Sequence, residues 1–301
     1  MDRDTSAGRT SRLTRRSVLH AGSMALAFGL AGCSSGGASQ PDLAANETSS
    51  GGATYDSSSA PSVEGINFDV QNLVVRLATG HSISDLSLIA PDGTLYTSAS
   101  VATGQTTVPM QILDVDLMSG GYTHYEPGIH ELVLETGSGQ ESVSIPLEPD
   151  LEIVDVGPVE NPESPVEYGQ LVVTVTNRGT GPTWVYDVAF EDAPNFAAND
   201  PLGDNPGVSR LSGIEGPEDL IVIPGSEGHY SSTDVPLLLP DSSEGICASE
   251  TTTFSLSVGV AQGTPINTRI SATADGEPVG DGIRGGVTCS NLSVMIDRNE
   301  S

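Results

Sequence analysis

Lysine does not occur in this 301-residue chain: all 11 basic residues are Arg, against 40 acidic ones, for a formal charge of -29. Such a chain repels a polyanion, so nucleic acid is not an expected partner. Aromatics make up only 4%, so the core must be mainly aliphatic. No apolar run reaches the roughly 20 residues a membrane helix needs, and no stretch repeats with a convincing helical period. The 35 Gly and 20 Pro favour turns over long helices. Catalytic signatures are missing too: there is no Gly-x-Ser-x-Gly elbow, phosphate loop, GxGxxG fingerprint or HExxH pair. The expectation is a protein that is not an enzyme and uses no cofactor or metal.

What is present begins with an ordered amino-terminal tract. Thr14-Arg15-Arg16-Ser17-Val18-Leu19-His20 is followed by a weakly apolar run, Ala21 to Ala31, and then by Leu30-Ala31-Gly32-Cys33 and Ser34-Ser35-Gly36-Gly37. The pair Arg15 and Arg16 resembles a twin-arginine export signal, with Val18 where Phe is usual and His20 where Lys is. Leu30 to Cys33 resembles a lipobox, the apolar-small-small-Cys pattern whose sulfur receives lipid before cleavage on its amino side. The resemblance implies a signal peptide over 1–32 and a lipidated Cys33 at the cell membrane, on its extracellular face. One acyl chain holds a protein only reversibly, at about 0.8 kcal/mol per CH₂, whereas two hold firmly. The partner expected first is therefore the membrane, through lipid on Cys33.

Five of the Arg and two of the acids precede Cys33, which leaves six Arg against 38 acids in the remaining 269 residues. A charge that large strains a compact state in dilute buffer. In molar salt the Debye length falls to about 3 Å, and neighbouring carboxylates barely interact. An acid-rich, Lys-free composition resembles that of extremely halophilic archaea.

Residues 33–63 are mostly Ser, Gly, Ala, Asp and Thr, too polar to offset ordering entropy, and read as a disordered tether. Strand texture follows. Leu73, Val75 and Leu77 alternate with Val74 and Arg76, and Ile83 to Ile89 forms a second run. Pro91-Asp92-Gly93 turns the chain towards Leu95 and Tyr96. Further strands are expected over Val108 to Val115, His130 to Leu134 and Val143 to Leu147. Some six short strands predict a β-sandwich over 64–149.

A second sandwich is expected over 150–298, after the hinge Glu148-Pro149-Asp150. Leu151, Ile153 and Val156 open it. Leu171-Val172-Val173-Thr174-Val175-Thr176-Asn177 alternates cleanly and ends in Arg178-Gly179-Thr180-Gly181, with Pro224-Gly225 ahead of a later strand. This run resembles the immunoglobulin-like cell-adhesion-related (CARDB-like) domains, with two departures: a long segment from Glu191 to Asp219, and the Cys247/Cys289 pair. Thr253 to Val260, Ile266 to Ala272 and Ser293 to Ile296 complete the strands, with a hairpin turn expected at Asp275-Gly276. The predicted fold is all-β: two immunoglobulin-like β-sandwich domains after the signal peptide and tether.

With Cys33 committed to lipid, Cys247 and Cys289 remain. An exported location and an even remainder point to a disulfide, with two free thiols or a metal pair as alternatives. Asp192, Asp200 and Asp204, with Asn195, Asn199 and Asn205, offer oxygens to a calcium ion but lack EF-hand spacing, so a plain solvated loop is the competing reading. His81, His124, His130 and His229 read as sheet and turn residues. Trp184 and Tyr186 suit either a sandwich core or an exposed contact for glycan or protein. Sequons stand at Asn46, Asn291 and Asn299. The functional expectation is a non-enzymatic binding module at the cell envelope, with an envelope protein or glycan as partner. The alternatives are a transporter's solute-binding lipoprotein and an accessory subunit of a membrane complex.

Overall fold

The computed structural model describes residues 60–162, 167–240, 247–281 and 286–297. The expected signal peptide, Arg15, Arg16, Cys33, and the sequons at Asn46 and Asn299 lie outside the described residues, as does the tether up to residue 59. The described residues all fall in one compact unit.

The fold is all-β, and every strand pair is antiparallel. The amino-terminal half comprises β1 (Val63–Asp69), β2 (Asn72–Leu77), β3 (Ile83–Ile89), β4 (Leu95–Ser100), β5 (Thr107–Gln111), β6 (Leu113–Asp116), β7 (Gly121–His124), β8 (Gly128–Thr136) and β9 (Gly139–Leu147). They pair as β1-β2-β5, β4-β3-β8-β9 and a separate β6-β7 hairpin. The period of two works as the sequence predicts: Leu73, Val75 and Leu77 face the core with Leu86, Leu88, Leu132 and Leu134. The single strand expected over Val108 to Val115 is instead two. Ile112 is buried between them, and Ile112 and Leu113 both donate from the backbone to the Gln71 carbonyl, which ends one ladder before the next begins.

The carboxyl-terminal half comprises β10 (Leu151–Pro158), β11 (Leu171–Asn177), β12 (Thr183–Glu191), β13 (Leu211–Ser212), β14 (Ile221–Val222), β15 (Glu227–Ser232), β16 (Leu239–Pro240), β17 (Ala248–Val260), β18 (Ile266–Asp281) and β19 (Gly286–Ile296). One sheet runs β10-β11-β15-β13 and the other β14-β12-β17-β18-β19-β16. Ile153 and Val156 are both buried although three residues apart, because a bulge between Ile153 and Asp155 shifts the pleat by one residue. The hairpin expected at Asp275-Gly276 is not there: Asp275 pairs with Asn291, β18 runs on to Asp281, and the register slips between Asp275 and Pro278, where Gly276 lies. Gly276, at φ +89°, supplies a left-handed residue at that slip without ending the strand.

Strand β12 is buried from Thr183 to Phe190, which is continuous rather than alternating. Its second face lies under the long segment that follows it, where Gly203 donates to Asp187 and Arg210 donates from its backbone to the Tyr186 carbonyl. The buried apolar residues of the two halves form one contiguous cluster.

Candidate functional site

Two regions combine geometry with chemistry: the joint between the halves, and a groove beside it. At the joint, the Asn177-to-Gly181 turn meets the linker after β9. The Asn177 amide is wholly buried and donates to the Gly181 and Val222 carbonyls, while its oxygen accepts from Gly179 and Asp150. A Cβ on Gly179 would collide with the Glu148–Asp150 backbone, and one on Gly181 with the Tyr125 hydroxyl. Both glycines of the Arg178-to-Gly181 run are thus fixed by close approach of the chain that follows β9 and of Tyr125.

Tyr125 is the centre of that joint. Its hydroxyl donates to the Pro182 carbonyl at 2.7 Å, and its own carbonyl accepts from Gln262 at 2.9 Å. The His130 ring packs edge-on against it at 5.7 Å. Burial raises the Tyr125 phenol far above its ordinary value and pushes Tyr96 up to about 12. The same burial lowers the His130 pKa, outweighing its hydrogen bond to the Gly128 carbonyl and the charge of Glu126. His130 Nε2, Gln262 Oε1 and Thr183 Oγ1 are buried without a protein partner. All three belong to residues that touch or adjoin the contacts of Tyr125, an arrangement that suits bound water. Trp184 is core, fully buried, and donates to the Pro206 carbonyl at 2.8 Å. The half-exposed Tyr122 and His124 stack on each other and lean on its ring.

Of the six residues weighed as cation ligands, Asn195, Asn199, Asp200 and Asn205 make contacts that organise the long segment. Asn195 caps the 3-10 turn Phe196–Ala198 and donates to the Val235 carbonyl. Asn199 bonds both backbone groups of Ala193, and Asn205 bonds Gly207 and the Gly120 carbonyl. Arg210 holds Asp200 at 3.4 Å and the buried Asp187 at 3.3 Å. Burial raises the Asp187 pKa, partly opposed by the Gly203 N–H and the Arg210 guanidinium. No group of three or more His, Cys, Asp or Glu suited to a metal occurs among the described residues.

The groove, about 750 Å³ in volume, lies between the β1–β2 hairpin and the chain from Glu218 to Glu227. Phe68, Val70, Val74, Ile221 and Ile223 supply its apolar surface. Val74 stands on the outward face of β2, and Ile221 and Ile223 flank the buried Val222. Apolar residues on both faces of these strands were the sequence signal for a second buried surface. Asp69, Glu218 and Glu227, all exposed, carry the charge around it. Val70 is held at φ +48°, a left-handed conformation that is costly for a β-branched residue.

The remaining expectations resolve simply. Cys247 and Cys289 form a disulfide. His81 bonds the Gln105 carbonyl and the Ile83 N–H, and His229 bonds Thr174. Asn291 donates its amide to Asp275.

No protein-family model matches the chain, and no curated protein matches it. Among solved structures, it is similar to the BSP domain of a biofilm-associated protein, at 16% identity over 65% of this chain and 25% of that one, with a TM-score of 0.21. It is also similar to a β-glucuronidase from glycoside hydrolase family 2, at 8% identity over 66% of this chain and 18% of that one, with a TM-score of 0.20. The chain therefore spans a quarter or less of either protein, and likenesses this loose say nothing of its activity.

Proposed function

We propose that this chain is a lipid-anchored surface protein that works by binding rather than catalysis. The observation that carries the anchor is the ordered run of Arg15-Arg16, a short apolar stretch and Leu30-Ala31-Gly32-Cys33 ahead of an all-β ectodomain. In this reading the tract exports the chain, is cut before Cys33, and leaves lipid on that sulfur. The CARDB-like likeness of 150–298 and the halophilic surface belong to the same reading. The groove supports the binding role: it offers apolar surface edged by carboxylates, where a partner rather than a reacting bond finds complementarity.

Replacing Cys33 by Ala tests the anchor. The wild-type chain should fractionate with membranes, begin at Cys33 and carry added lipid mass, whereas the C33A chain should appear in the soluble fraction. A wild-type chain that keeps its first Met and an unmodified Cys33 sulfur would defeat the reading.

A further inference from the structure

We propose that the groove between the β1–β2 hairpin and the Glu218–Glu227 chain is a docking site for an extended, basic segment of a partner protein, one whose apolar side chains are flanked by Arg or Lys. The inference deepens the binding reading above and rests on it. Three observations carry it.

The first is size and surface. A groove of about 750 Å³ falls within the range of specific ligand sites, about 300–1,000 Å³. Val70, Val74, Ile221 and Ile223, each partly exposed, give it an apolar surface in a strongly acidic chain. The second is charge. The ionisable side chains that line the groove are Asp69, Glu218 and Glu227, and each is a carboxylate. None of the four Arg among the described residues lines it. A cationic segment is thus favoured, and an acidic one repelled, by the same three groups. An ion pair held at contact distance also survives salt better than long-range attraction does.

The third is backbone conformation. Among the described residues, four non-glycine residues have positive φ: Val70, Asn161, Asp192 and Ser249. Asn and Asp tolerate that region, but Val does not. The hairpin turn Asp69-Val70-Gln71-Asn72 could hold Asn or Gly at this position with less strain. A strained Val places an isopropyl group in the groove wall, where Asn would place an amide and Gly nothing. Backbone strain of this kind in a groove wall points to a residue whose side chain serves a contact. Among the described residues β1 is the outer strand of its sheet, so its peptide groups near Asn67 offer an edge to which an extended chain can pair.

The test uses the full-length lipidated chain in detergent and a fluorescein-labelled peptide that alternates Arg with Leu and Val. Two control peptides replace every Arg by Glu, or every Leu and Val by Gly. Anisotropy should show saturable binding of the basic apolar peptide and at least tenfold weaker binding of both controls. A triple variant, Asp69→Asn with Glu218→Gln and Glu227→Gln, alters exposed side chains only and should weaken binding about tenfold. Val70→Asn is the decisive variant: it should raise thermal stability while weakening binding several-fold. Absence of saturable binding, equal binding of the Glu peptide, or a Val70→Asn chain that is more stable yet binds as before would overturn the proposal. So would sedimentation showing that the groove is covered by a second copy of the chain. Membrane fractionation of the Cys33→Ala chain reads the anchor separately, so either proposal can fail alone.

Discussion

Val70 and His130 are the residues at which local physics and the whole fold disagree. A β-branched residue at φ +48° costs about 1–3 kcal/mol, so Val70→Asn should stabilise the chain by about 1 kcal/mol, read as a higher denaturant midpoint at unchanged slope. His130 is wholly buried beside Tyr125, and burial lowers its pKa below the ordinary 6.5. The unfolded chain then takes up a proton that the folded chain refuses, so this residue's contribution is intact above about pH 6.5 and shrinks as pH falls towards the folded value. Thermal melts between about pH 7 and pH 5 should show a loss that His130→Leu flattens. An equal loss in the variant would assign the effect elsewhere.

Among the elements, the three-stranded arm β17–β18–β19 depends on a covalent tie. Cys247 and Cys289 are 42 residues apart, and closing a loop of that length contributes about 4 kcal/mol in the chain-entropy account. The double variant Cys247→Ser with Cys289→Ser should lose about 3–4 kcal/mol in equilibrium denaturation, and reductant should have no further effect on it. The Asn177-to-Gly181 turn works differently, through close packing rather than a bond. Both its glycines stand where a methyl group would strike the other half of the molecule, so the turn and the linker from Leu147 to Asp150 are shaped for each other.

At the scale of the whole molecule, the feature that stands out is charge. After Cys33 the chain carries 38 acids and six Arg, and Arg178 and Arg210 pair with acids in the fold. Mutual repulsion of that size is screened in molar salt and largely unscreened in dilute buffer. Far-UV circular dichroism should therefore show strand signal lost at about 0.1 M salt and regained in molar salt. A spectrum and melting temperature indifferent to salt would remove the halophilic reading while leaving the fold untouched.

The all-β class, the strand at Leu171–Asn177, the core position of Leu73, Val75 and Leu77, and the Cys247/Cys289 pair were legible in the residues, because a pleat of period two and an even cysteine count are local facts. The same alternation hid the bulges: a one-residue slip at Ile153–Asp155, or a glycine taken up inside β18 at Gly276, depends on what the neighbouring strand can accommodate. Burial of both faces of β12 was equally invisible, since Asp187 reads as a surface acid until the segment carrying Gly203 and Arg210 folds over it. The outward apolar residues that line the groove can be read in the sequence, but their assembly into one surface belongs to tertiary structure. Val74 and Ile223 are about 150 residues apart in sequence, and only the packing of one half against the other makes them two sides of a single surface.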